Sequence, residues 1–138
     1  NEATDGRYVI PTQAYRDEGM SYHYAPPSDF IDVKNSGKLA EIFEKLKLPY
    51  VQGRIWTTDA PYRETKTALA ERKKAGCIAV EMEVAGVQAV CDFYGIELYS
   101  FLMTGDVLDL DEYKPEGLAY ANHSRDKFFT ALKIWDCI

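Results

Sequence analysis

Residues 77–106 constrain the fold more than any other stretch of the chain. Residues 77–80, Cys-Ile-Ala-Val, form a short apolar run that reads as a strand. Glu81, Met82 and Glu83 follow at once, and the apolar residues of 84–94 then read as a helix. A second apolar run over 96–104 predicts another strand, which ends in Gly105 and Asp106. Two acidic clusters therefore stand just past strand ends, the place where open α/β sheets bind their ligands.

Glu81 and Glu83 have two readings. Carboxylates in a first helical turn are favoured by the helix dipole, by about 0.3–1 kcal/mol each. A carboxylate is also an acceptor that can take two hydroxyl donors at once, which suits the vicinal diol of a sugar. Met82 between them offers a soft apolar surface to a sugar face, or simply fills core. Asp106 follows a glycine that lets backbone approach a ligand closely, and Asp is equally a common turn residue.

The rest of the chain alternates in the same way. Residues 7–12 read as a strand stopped by Pro11, and residues 15–29 as a loop. His23 in that loop is either a substrate or interface contact, or packing between Tyr22 and Tyr24. Residues 36–47 carry Leu39, Ile42, Phe43 and Leu46 at i, i+3, i+4 and i+7, which predicts an amphipathic helix. Asn35 or Ser36 can cap it, and Pro49 stops it. Residues 50–57 alternate as a strand, with Val51, Gly53, Ile55 and Thr57 on one face. The loop that leaves it holds Thr58, Asp59 and Tyr62, and an aromatic there could stack on a base. Residues 64–75 predict a charged helix with Gly76 at its end. Residues 107–116 predict an acidic loop with Asp109, Asp111 and Glu112, where nothing calls for a metal. Residues 117–135 predict a closing helix with Leu118, Phe128, Phe129, Leu132 and Trp135 mostly inward. Strands and helices that alternate predict a three-layer α/β arrangement.

Four motifs in this order resemble a known family. Val80-Glu-Met-Glu-Val-Ala-Gly86 is similar to the Glu-Met-Glu signature of the nucleoside phosphorylase family, of the purine nucleoside and uridine phosphorylase type, which also includes related nucleosidases. Val9-Ile-Pro-Thr12 with Arg16-Asp-Glu-Gly-Met-Ser-Tyr-His-Tyr24 resembles that family's strand and following loop. Gly53-Arg-Ile-Trp-Thr-Thr-Asp-Ala-Pro-Tyr-Arg-Glu-Thr65 resembles its base-side segment, and Thr104-Gly-Asp106 stands where purine-cleaving members carry their acid. The resemblance implies a central mixed sheet, partly barrel-like, flanked by helices. It implies cleavage of an N-ribosidic bond through an oxocarbenium-like transition state.

Glu83 with Met82 matches the family's ribose-binding pair, with Glu81 in support. Thr58, Asp59 and Tyr62 match the base pocket. Asp106 matches the acid that protonates or hydrogen-bonds a purine nitrogen. The Gln-x-Arg pair that reads uracil is absent from residues 63–67, so a purine is expected. Inorganic phosphate is the expected co-substrate, with no other cofactor, although the family's phosphate-binding motifs are not found in the chain. The expectation is that residues 1–138 are the C-terminal portion of a single phosphorylase-like domain that forms a homo-oligomer. Hydrolysis by a nucleosidase, or a non-catalytic remnant that keeps a nucleoside pocket or an oligomer interface, are the alternatives.

Composition narrows the partners. A net charge of −6 argues against non-specific nucleic-acid binding, which rests on Lys and Arg. No run of 18 apolar residues predicts a membrane span. Three cysteines, Cys77, Cys91 and Cys137, with no C-x-x-C spacing, predict reduced thiols and a cytoplasmic setting.

Overall fold

The computed structural model of the chain describes residues 8–105, 107–108, 113–114 and 124–138. Its centre is a mixed sheet with strand order β2-β1-β3-β4, where β1 is Tyr8–Asp17, β2 Phe30–Asp32, β3 Tyr50–Thr58 and β4 Cys77–Glu81. β1, β3 and β4 run parallel, and β2 pairs antiparallel with β1. β5, Leu102–Met103, adds antiparallel to the start of β1. Two further short strands, β6 (Val107–Leu108) and β7 (Tyr113–Lys114), pair with each other.

Helices cover both faces of the sheet. α3, Val84–Tyr94, lies on one face and encloses Val9, Ala14, Ile31, Ile55, Val84, Ala85 and Ala89. α1, Ser36–Lys45, and α4, Ser124–Trp135, lie on the other with Tyr8, Ile10, Leu39, Phe43 and Ile134. α2, Lys66–Lys74, joins β3 to β4. This is the three-layer α/β fold expected. It also explains why β1 and the end of β3 are buried on both faces. Fully burying one such aliphatic or aromatic side chain contributes about 1.5–3 kcal/mol.

Local signals set the element ends. The Thr65 hydroxyl caps α2 by accepting from the Ala68 amide at 3.2 Å. Gly95 closes α3 with φ 68°, a conformation that suits glycine. Burial pushes the Cys77 thiol up, which keeps it protonated in the core. Cys91 is only half-buried.

Several expectations need correction. Pro11 does not stop β1; the strand runs on to Asp17, and its register against β3 shifts between Pro11 and Ala14. A bulge is where a residue without an N–H can sit inside a strand. The strand expected over 96–104 shrinks to Leu102–Met103. Tyr99 and Phe101 instead pack on the α1 face, and an apolar run alone cannot distinguish such packing from a ladder. In α4, Phe128, Phe129, Leu132 and Trp135 are exposed rather than inward. It meets the body through Thr130 and Ile134, one turn apart, with the Thr130 hydroxyl 2.8 Å from the Tyr8 hydroxyl. Leu118, Asp109, Asp111 and Glu112 lie outside the described residues.

Candidate functional site at the carboxyl ends of the parallel strands

β1, β3 and β4 end on the same side of the sheet. Their last residues, Asp17, Thr58 and Glu81, bring the acidic junction 81–83 beside the loop after β3. The pairing of Thr57 with Glu81 fixes this register.

Glu81 turns inward. One carboxylate oxygen accepts a short hydrogen bond from the Thr57 hydroxyl. The other accepts from the backbone amides of Glu83 and Val84, each at 2.7 Å. The Thr57 hydroxyl in turn accepts from the Ala85 amide at 3.2 Å. Three amides at the start of α3 are thus satisfied by two side chains, the task that a helix start always poses. Burial pushes the Glu81 carboxyl up, against the opposing pull of the Thr57, Glu83 and Val84 hydrogen bonds.

Glu83 turns outward. It occupies the position just before α3 and makes no side-chain cap. It is exposed, and its carboxylate has no hydrogen-bond or ion-pair partner among the described residues. Met82 beside it is 45% exposed, so its thioether lies on the surface rather than in core.

On the β3 side, Thr58 is buried and its hydroxyl accepts from the Ala60 amide at 3.2 Å. Asp59 is exposed and accepts from the Gly19 amide at 3.0 Å. Tyr62 is fully exposed on a short 3-10 turn over Pro61–Arg63. The structure therefore gathers Thr58, Asp59, Glu81, Met82 and Glu83 at one end of the sheet, and the turn that carries Tyr62 follows directly after Asp59 and Ala60. Asp106 lies outside the described residues.

Sequence reading missed two parts of this region. Thr57, on the buried face of β3, is the residue that joins the two strand ends. The loop after β1 is the other. It makes a 3-10 turn over Met20–His23, and Met20 lies against the first turn of α3. A Cβ placed on Gly86 would sit 3.1 Å from Met20 Sδ. A glycine inside a helix was the available signal, because it marks a close approach. Arg16 fixes this loop from beneath. It is 4% exposed, donates from Nε to Ser21 Oγ at 2.8 Å and from Nη1 to the Pro26 carbonyl at 2.6 Å, and lies 4.1 Å from the Tyr22 ring centre. His23 is exposed.

Comparison with known proteins gives this arrangement its class. The fold is shared with the AMP nucleosidase of Bacteroides thetaiotaomicron, at TM-score 0.70 and 20% identity over 99% of this chain and 54% of that one. It is shared too with the P. knowlesi homologue of P. falciparum PNP, at TM-score 0.61 and 21% identity over 86% of this chain and 50% of that one. The family described as the Phosphorylase superfamily matches residues 1–131, and the chain belongs to it. Among curated relatives, a DeoD-type purine nucleoside phosphorylase of Colwellia psychrerythraea is 33% identical over 64% of this chain and 37% of its own length. An uncharacterised protein of Acanthamoeba polyphaga mimivirus is 36% identical over 49% of this chain and 28% of its own. The chain thus spans about half the length of the solved structures and less of the curated relatives. No described helix is long and apolar enough to cross a membrane.

Proposed function

We propose that the protein cleaves the N-ribosidic bond of purine nucleosides with inorganic phosphate, giving free base and ribose 1-phosphate. The observation that carries this reading is the division between Glu81 and Glu83. A helix start is a ready anion site when its amides are free. Here the amides of Glu83, Val84 and Ala85 are already taken by Glu81 and Thr57. The junction therefore offers a ligand not amide donors but the open Glu83 carboxylate and the exposed Met82 surface. That combination suits a neutral ligand with paired hydroxyl donors and an apolar face, as a ribose has.

In this mechanism Glu83 accepts the ribose hydroxyls and Met82 lies against the sugar. Glu81 supports them by fixing the junction. Thr58, Asp59 and Tyr62 line the base side. Asp106 gives a proton or hydrogen bond to the purine as the glycosidic bond breaks, so that the base leaves without full negative charge. Phosphate attacks the sugar carbon, held by groups other than the α3 amides. The chain supplies the ribose and base sites as the C-terminal portion of a single domain, and the whole protein works as a homo-oligomer in a reducing cytoplasm.

The 33% identity to a purine nucleoside phosphorylase supports phosphate as the nucleophile. The test is inosine and uridine cleavage by the protein that contains this chain, with and without phosphate, followed by the ultraviolet change of the released base. Phosphate-dependent cleavage of inosine is the expected result. Cleavage independent of phosphate would replace phosphorolysis by hydrolysis, and preference for uridine would overturn the purine assignment. Asp106→Asn is expected to abolish inosine cleavage while leaving ribose binding intact; unchanged turnover would remove Asp106 from its role.

A further inference from the structure

We propose that Thr57 is a positioning residue for ribose recognition, holding the first turn of α3 so that the Glu83 carboxylate stands where the sugar hydroxyls arrive. This rests on the ribose role proposed for Glu83 and deepens it. Thr57 is wholly buried, so it acts through other residues and not by contact with a ligand.

The hydrogen-bond accounting fixes what its hydroxyl does. A hydroxyl has one proton and two lone pairs. One lone pair accepts from the Ala85 amide, and the proton goes to Glu81. The second Glu81 oxygen then holds the Glu83 and Val84 amides. Three successive amides, 83 to 85, are tied to the ends of β3 and β4 by this pair of side chains. Glu83 itself has φ −126° and ψ −36°, outside the helix, and no cap bond of its own side chain to hold it. Its direction is set by the clamp on its own amide and on the two that follow. A carboxylate that must meet two hydroxyls at once is sensitive to small errors of placement.

The test compares Thr57→Val, which keeps the shape and removes the hydroxyl, with Thr57→Ser, which keeps the hydroxyl. Both are made in the protein that contains this chain and assayed on inosine and 2′,3′-dideoxyinosine. Thr57→Val is expected to lower kcat/KM for inosine about tenfold, mainly through KM, the scale of one charge-assisted hydrogen bond. The dideoxy substrate, which has no diol to misplace, should change by less than about twofold. Thr57→Ser should restore the riboside value. Equal losses on both substrates, or no loss on either, would overturn the proposal. If the parent protein neither binds nor cleaves inosine, the ribose reading fails and this inference falls with it. Should Thr57→Val fold poorly, amide hydrogen exchange in Thr57→Ala decides the clamp: faster exchange at Glu83, Val84 and Ala85 than at the rest of α3 supports it, and a uniform change across the helix overturns it.

Discussion

Arg16→Met tests how the loop beside the candidate site is held. The guanidinium is buried, and among the described residues it has no carboxylate ion-pair partner. It donates to Ser21 Oγ at 2.8 Å, to the Pro26 carbonyl at 2.6 Å and to Ser28 Oγ at 3.1 Å, and so ties the segment after β1 to itself. Hydrogen bonds from a charged group contribute about 1.5–3 kcal/mol each. Methionine fills a similar volume and donates none of them, but its removal of charge also ends the cost of burying an ion. Water can replace some of the partners lost by the exposed Pro26 and Ser28. A net loss of about 2–4 kcal/mol is expected, a large part of a typical total of about 5–15 kcal/mol. Urea unfolding followed by tryptophan fluorescence reads it well. Trp56 is buried and donates to Asp17 Oδ2 at 2.9 Å, so it reports the native state beside Arg16, while Trp135 is exposed in any case. Arg16→Lys keeps the charge but not the fork, and should recover less than half of the loss. A change under about 0.5 kcal/mol in Arg16→Met, the range of ordinary surface substitutions, would show that the guanidinium does not hold the loop.

Three further outcomes follow from the same region. Because burial raises the Glu81 carboxyl above its unfolded value, the native chain binds more protons than the unfolded chain just above the ordinary glutamate range of about 4.3, so this residue's contribution to stability falls as pH rises through that window. Glu81→Gln should remove that slope in urea unfolding at a series of pH values; an unchanged slope would assign it to other groups. Gly86→Ala should stabilise the chain by about 0.5–1 kcal/mol from helix propensity, since the Met20 side chain that it meets is half-exposed and can give way; a lower midpoint in thermal unfolding would show Met20 to be fixed. Glu83→Ala should weaken riboside binding and turnover together while leaving stability within about 0.5 kcal/mol, as for an exposed side chain with no partner among the described residues; a riboside preference that survives the change would remove the diol role.

What the sequence showed plainly was periodic. The α3 bounds and the α1 stripe of Leu39 and Phe43 came from the pattern of apolar residues, because burial against a neighbouring layer imposes it, whereas the end of β3 is buried on both faces and shows no alternation. The less legible parts depended on what each element packs against. Residues 96–101 are as apolar as a strand, but Tyr99 and Phe101 go to the α1 face rather than into a ladder. Phe128, Phe129, Leu132 and Trp135 suggested the inward face of α4, whereas Thr130 makes that contact through Tyr8. A polar residue facing inward is invisible to apolar periodicity. Pro11 was read by its missing donor, which a bulge accommodates.

The same limit explains the two carboxylates of the junction. Glu81 and Glu83 are identical in chemistry and two residues apart, and both carry the same helix-start and hydroxyl-acceptor readings. Their separation comes from strand pairing. β4 extends through Glu81, so its side chain is directed by the sheet towards Thr57, its partner in register on β3. Glu83 lies past the strand and before the helix, where no ladder directs it. One acid is therefore spent on the amides of α3, and the other remains open at the surface. The sequence could name the pair, but only the register of β3 against β4 decides which member is drawn inward and which stays exposed. A shift of one residue in that register would turn Glu81 away from Thr57 and leave the first turn of α3 with its amides unsatisfied. The fold thus closes the amides of this helix start from within and leaves one exposed carboxylate beside them, the feature on which the proposed ribose role rests.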